Sequence, residues 1–240
     1  MTYLSFIGDS QLEQIVHKVL TKGVIALEIA NKKFERNVID PFSIIFEMNG
    51  FEINFDQWNK NEKLRQAQKS LSNEIGNFHQ NILGSVDDWQ TLPTGEIIDI
   101  VNHKRKIIAE VKNKHNTLKG SDKSGLYFKL EDLVMRKGHT YKDYTAYYIE
   151  IIPKKPMRYN TEFTPSNHST GSSCHKNSLI RQIDGYSFYE LATGVDDALE
   201  QLFYALPKVI KKIKPHIDIN LDINNATDLF FDRAFHGIKD

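Results

Sequence analysis

The chain has 240 residues and one cysteine, Cys174, so no disulfide can form within it. That usage fits a reducing compartment. There is no run of about 18 apolar residues to cross a membrane as a helix. No basic-then-apolar leader opens the chain, and a cytoplasmic protein is expected. Neither sign of charge predominates, because Lys plus Arg and Asp plus Glu both total 31. The totals therefore do not advertise a polyanionic partner, although a neutral total can hide a basic face. Repeats and low-complexity tracts are also absent. What is present is a hydrophobic share of 40% and a charged share of 26%, the composition of a globular chain with a core. The length suits one large domain or two small ones.

Ser10 with Glu13 forms a capping-box pattern ahead of Leu12, Ile15, Val16, Val19 and Leu20 at helical spacing. Gly23 is expected to close that helix, with a second helical segment over residues 24–35. Residues 40–60 are mixed, with an Asn49-Gly50 turn signal. The stripe Leu64, Leu71, Ile75, Phe78, Ile82 predicts a helix over 62–83. Two short strands are expected at 96–101 and 106–112, then a helix carrying Leu126, Leu130, Leu133 and Val134. YTAYYIEII at 144–152 reads as a strand covered on both faces. A long irregular segment, 153–186, comes next. SFYEL (187–191) reads as a strand, and Leu199, Leu202, Phe203 and Leu206 mark a last helix. Strands interleaved with helices give an α/β class with a mixed sheet.

The chemistry concentrates in GEIIDIVNHKRKIIAEVKNKHNT, residues 95–117. Side chains alternate along a strand, so Glu110 and Lys112 share a face while Ala109 and Val111 take the other. An antiparallel hairpin turning at Lys104-Arg105 puts Asp99 directly opposite Glu110, with Cβ atoms roughly 5 Å apart. Two carboxylates at that separation can share a Mg²⁺ ion, which takes oxygen ligands at about 2.0–2.1 Å. A charged pair on an otherwise apolar strand is costly to bury unless it is paired or bound to metal. Hydrolysis of a phosphodiester needs such a set: a metal to neutralise the phosphate and acidify a water, carboxylates to hold it, and a cation near the developing charge. Read alone, Glu110 and Lys112 are a surface ion pair on an edge strand, because acid-x-Lys arises constantly by chance; the upstream Asp99 at a facing spacing and the otherwise apolar hairpin are what raise the metal-site reading.

Asp99 with Glu110-Val111-Lys112 resembles the PD-(D/E)xK nuclease signature, with Ile98 where the signature has proline. More narrowly, VNHKRKIIAEVKNKHNT and IRQIDGYSFYELATG are similar to type II restriction endonucleases that cut GGNCC-type sites. The resemblance implies a restriction-endonuclease-like mixed sheet flanked by helices. It also implies Mg²⁺-dependent hydrolysis of double-stranded DNA at a short palindrome, a homodimer, and a cognate DNA methyltransferase as the system's partner. Residues 1–240 then form a single nuclease domain. Residues 1–60 are its mostly helical N-terminal subregion, 61–215 the catalytic core, and 153–186 the DNA-recognition segment. The alternatives are a repair or junction-resolving nuclease of the same superfamily, or a DNA-binding module that does not cut.

Glu74 lies between Leu71 and Phe78 on one helical face. It is either a partly solvated helix charge or the helical glutamate that such nucleases often bring to the metal site. Lys114, His115 and Asn116 follow the catalytic strand and are either a solvated loop or cationic and amide donors that hold phosphate. Lys154, Lys155, Arg158, Lys176 and Arg181 make the 153–186 segment basic. It is either a surface insertion or a reader of guanine edges in the major groove. The donor-rich run at 166–178 belongs to the same segment.

Overall fold

The computed structural model describes residues 2–167, 171–216 and 223–237. In chain order the helices are α1 (Asp9–Lys33), α2 (Pro41–Gly50), α3 (Phe55–Leu83), α4 (Gly120–Met135), α5 (Gly185–Thr193), α6 (Ala198–Ile213) and α7 (Ile223–Phe235). The strands are β1 (Gln90–Thr91), β2 (Ile100–Asn102), β3 (Ile107–Lys114), β4 (Thr145–Ile152), β5 (Asn160–Glu162), β6 (Ser166–Asn167), β7 (Ser172–Ser173) and β8 (Ile180–Asp184). His168, Ser169 and Thr170, part of the donor-rich run, lie outside the described residues. The chain divides into two compact units, one of residues Gln14–Phe78 and one of Met1–Glu13 with His79–Asp240.

In the helical unit, α1 runs through Gly23 without a break, where the sequence reading ended a helix. A glycine within a helix costs only about 1 kcal/mol, and a Cβ at Gly23 would lie 3.5 Å from the Leu71 side chain. Ala26, Ala30 and Ala67 form a small close-packed cluster. The Asn49-Gly50 signal is the end of α2, a helix that begins with Asp40 as N-cap and Pro41 in its first turn. Both residues are strong helix starters.

The larger unit is built on a six-stranded mixed sheet in the order β1-β2-β3-β4-β8-β5. β1, β2 and β3 pair antiparallel, β3, β4 and β8 pair parallel, and β5 returns antiparallel on β8. The α/β class with a mixed sheet is therefore as the sequence indicates. α4 connects the parallel neighbours β3 and β4, as a crossover must. It covers one face of the sheet, where Ile108, Ala146, Tyr148 and Ile180 pack with Leu126, Tyr127, Leu130 and Val134 in one buried cluster. Each buried Ile, Leu or Val among them contributes about 1.5–3 kcal/mol. On the opposite face, Phe188 of α5 meets Tyr147 and Trp89 at ring-centroid distances of 5.6 and 5.5 Å.

Two expectations are corrected here. SFYEL is helical, because Asp184 accepts the Ser187 N–H as N-cap and Gly194, at φ 74°, closes α5 in the left-handed conformation. Those local signals outweigh the aromatic β propensity. The 153–186 segment also holds β8, an interior strand of the sheet. Its polar Arg181 and Gln182 disguise it as loop.

Candidate active site

The parallel strands β3, β4 and β8 carry one face that changes character along its length. Near their N-terminal ends it is the apolar cluster under α4. Near their C-terminal ends it bears Glu110, Lys112, Glu150 and Gln182. Open sheets place ligands at the carboxyl ends of parallel strands, and the local sequence does so here by switching from Ile108 to Glu110 and from Tyr148 to Glu150.

The β2–β3 hairpin has the expected register. Ile100 pairs with Ala109 and Asn102 with Ile107, closed by a loop in which Asn102 Oδ1 accepts the Arg105 N–H at 2.8 Å and Lys106 takes a φ of 53°. One step beyond Ile100, the Asp99 N–H donates to the Ala109 carbonyl at 2.9 Å. The Asp99 Oδ2 accepts the Val111 N–H at 2.7 Å, which fixes its carboxylate against β3. Glu110 lies within hydrogen-bonding reach of Asp99 and is ion-paired with Lys112. Burial, and then the negative charge of Asp99, push the Glu110 carboxyl up to about 7, with Lys112 pulling the other way. Once Glu110 ionises, two carboxylates and one ammonium leave a net negative charge in a mostly buried place, which a bound cation would offset. Among the described residues, no group of three or more His, Cys, Asp or Glu side chains is placed to hold a metal. A two-carboxylate donor set nonetheless fits Mg²⁺, which keeps several waters and binds through one or two carboxylates together with substrate phosphate.

Beside this trio lies a network that the sequence reading missed. Glu150 pairs in register with Lys112 across the β3–β4 ladder and is only 3% exposed. Lys123, in the first turn of α4, donates to its Oε1 at 2.6 Å, while Tyr159 Oη and Gln182 Nε2 donate to its Oε2 at 2.8 and 3.1 Å. Burial alone would raise the Glu150 carboxyl, but the bonds from Lys123 and Tyr159 outweigh it and hold it below its ordinary value. Glu150 therefore holds a second lysine and a tyrosine near the end of the sheet that bears Lys112. The signal was available: one acid in the otherwise apolar YTAYYIEII, in a strand covered on both faces, must have partners.

The remaining candidates separate. Lys114, His115 and Asn116 end β3 and its following turn. Lys154 and Lys155 follow β4, and because Lys114 pairs with Ile152 these two basic tracts leave the sheet at the same end as Glu110 and Lys112. The His115 Nδ1 is buried without a hydrogen-bond partner. Arg158 is ion-paired with Glu190 and lies over the Tyr186 ring, 4.7 Å from its centroid. Arg181 donates to the Asn160 side chain and carbonyl, both at 2.6 Å. Lys176 is exposed and precedes β8, where the parallel strands begin. Glu74 is a buried residue of the helical unit, with Asn77 Nδ2 at 3.2 Å and Lys18 Nζ at 3.6 Å from its carboxylate.

Comparison with known proteins bears on what these residues do. The model of the Eco47II restriction endonuclease family matches residues 4–214. The type II restriction enzyme Eco47II of Escherichia coli is 47% identical over 213 residues, covering 89% of each chain. The type II restriction enzyme Sau96I of Staphylococcus aureus is 32% identical over 209 residues, covering 85% of this chain and 78% of its own.

Proposed function

The chain belongs to the Eco47II restriction endonuclease family, and within that class of type II restriction enzymes we propose that it hydrolyses double-stranded DNA with Mg²⁺ at Asp99, Glu110 and Lys112. The observation that carries this reading is the Asp99–Glu110 pair, two adjacent carboxylates with the Glu110 carboxyl pushed to about 7 by burial and by its neighbour. The proposed target is a short palindrome of the GGNCC type. A homodimer is proposed with it, because a palindrome maps onto a protein two-fold axis. A cognate methyltransferase completes the system by protecting host DNA.

In this reading Asp99 and Glu110 hold the ion. When bound, Mg²⁺ supplies positive charge at the scissile phosphate and acidifies the attacking water. Asp99 stays in place because the Val111 N–H holds its Oδ2. Lys112 gives up its bond to Glu110 in part, and its Nζ orients the water and donates to the charge that develops on phosphorus-bound oxygen. Lys123, held by Glu150, keeps two ammonium protons for the neighbouring phosphate. Lys114, His115, Asn116, Lys154 and Lys155 grip the backbone on either side, which sets register without reading bases. Glu74 has partners within its own unit, and no step is placed on it.

Digestion of sequenced plasmid DNA with Mg²⁺, against an EDTA control, tests the proposal. Discrete fragments ending at one short sequence are expected. Smearing or structure-selective nicks would favour a repair or junction-resolving nuclease. Gel shifts without cleavage in Mg²⁺ or Mn²⁺ would favour a binding module.

A further inference from the structure

The two carboxylate oxygens of Glu150 serve different partners. Oε1 accepts from Lys123 Nζ at 2.6 Å. Lys123 also lies over the Tyr148 ring, 5.2 Å from its centroid, and its side chain is 22% exposed. A lysine stem is long and flexible, so an ion pair fixes the ammonium only as well as the carboxylate is itself fixed. The terminal torsion of a glutamate is broad, and bonds to its other oxygen are what hold it. Tyr159 Oη and Gln182 Nε2 donate to Oε2 at 2.8 and 3.1 Å. Lys123 is thus presented to the site by a carboxylate that donors grip on both oxygens.

The two donors on Oε2 differ in where they come from. Gln182 belongs to the sheet, on β8 in register with Tyr148. Tyr159 stands at the end of the segment that leaves β4 and carries Lys154 and Lys155. Residues 154–158 are all exposed, and Tyr159 is the first half-buried residue after them. Its backbone is held as well. The Tyr159 N–H donates to Asp184 Oδ2 at 2.7 Å, and the Asp184 N–H donates to the Tyr159 carbonyl at 3.3 Å. Asp184 is 1% exposed and caps α5 through its other oxygen. Tyr159 therefore stands where an exposed basic segment meets the buried carboxylate that holds Lys123.

We propose that Tyr159 is a positioning residue for DNA cleavage: its hydroxyl locks Glu150, Glu150 locks Lys123, and the basic segment 154–158 is thereby joined to the second lysine of the site. The inference rests on the nuclease reading for what Lys123 does at phosphate. It goes beyond that reading in making the place of the ammonium depend on a residue that acts only through Glu150. The test uses wild type, Tyr159→Phe, Lys123→Ala and the double variant. Phenylalanine keeps the ring and both backbone bonds, and circular dichroism melts check that each variant folds. Single-turnover cleavage of a site duplex in Mg²⁺ should fall about 100-fold in Lys123→Ala. Tyr159→Phe should lower it about tenfold, since a displacement of about 1 Å is already felt in the rate, while binding of the duplex in EDTA stays within about twofold. The double variant should be no slower than Lys123→Ala, because two links of one chain do not add. Nitrogen–proton correlation NMR of the lysine ammonium groups reads the tether without cleavage. Wild type should show a Lys123 peak that is absent from Lys123→Ala and lost or shifted in Tyr159→Phe. An unchanged rate in Tyr159→Phe, effects that multiply in the double variant, or a Lys123 peak that is missing or does not move overturns the proposal. A Tyr159→Phe protein that loses fold and binding together with rate also overturns it, since that marks a purely structural staple. If wild type never cuts DNA while the peak behaves as expected, the tether stands and the nuclease reading falls.

Discussion

Replacing Glu110 by glutamine should make the metal-free protein more stable while ending its catalysis. Burial, and then the charge of Asp99, raise the Glu110 carboxyl from 4.5 to about 7, with the attraction of Lys112 already counted in that net direction. Each pKa unit corresponds to about 1.4 kcal/mol, so ionising Glu110 in the native state costs about 3 kcal/mol. The sign follows from proton binding. Between pH 4.5 and 7 the native state holds this proton more tightly than the unfolded chain does, so stability falls as pH rises through that window. Glu110→Gln removes the cost. In EDTA at pH 8 the variant should therefore gain about 3 kcal/mol, or roughly 6–12 °C in Tm for a chain of this size. At pH 4.5 the gain should vanish. Mg²⁺ reverses the comparison: at 100 times its Kd it stabilises wild type by about 2.7 kcal/mol and the glutamine variant much less. Thermal melts at both pH values, with EDTA and with Mg²⁺, read all four quantities. A variant less stable than wild type in EDTA at pH 8, or one stabilised by Mg²⁺ as much as wild type, would refute the reasoning.

Lys112→Ala should lower the single-turnover cleavage rate by about 10²–10³-fold while specific binding, measured by gel shift, stays within a few-fold. Parallel loss of binding would contradict the role given to Lys112. Gly185→Ala should destabilise the protein by several kcal/mol in urea unfolding, since the new Cβ would sit 2.5 Å from the Ile151 carbonyl oxygen and 2.6 Å from its Cα, and backbone cannot yield as a side chain does. A near-neutral effect would mean that β4 and α5 are not packed as described. His79 is half-buried, and desolvation lowers its imidazole to about 4, with Nδ1 2.8 Å from Tyr189 Oη. Its unfolded form takes up a proton near 6.5, so wild type loses up to about 3 kcal/mol as pH falls from 6.5 to 4. His79→Gln should flatten that slope in urea titrations across the range, and an unchanged slope would count against the burial.

The site was legible where chemistry and pattern coincide. Asp99 and Glu110 in an apolar hairpin implied a register, and the pairing of Ile100 with Ala109 has that register. β4 was legible because an uninterrupted apolar run leaves few other choices. Glu150 stood in plain view within that run, but its partners Lys123, Tyr159 and Gln182 come from three separate segments, and no local pattern joins them. α5 was misread because aromatic propensity is weaker evidence than the Asp184 cap and the Gly194 stop. β8 was hidden because its pairing with β4 and β5 is non-local, so Arg181 and Gln182 sit in an interior strand without an alternating pattern to announce it. Gly23 stops nothing because a glycine ends a helix only where the backbone turns left-handed after it.

The central claim is that a phosphodiester is cut at Asp99, Glu110 and Lys112. Single-turnover cleavage of a duplex carrying the mapped site, by wild type and Asp99→Asn in Mg²⁺, tests it most directly. The account predicts a rate about 10³-fold lower for Asp99→Asn, equivalent to several kcal/mol of lost transition-state stabilisation, with DNA affinity within a few-fold of wild type. A rate within tenfold of wild type would contradict it.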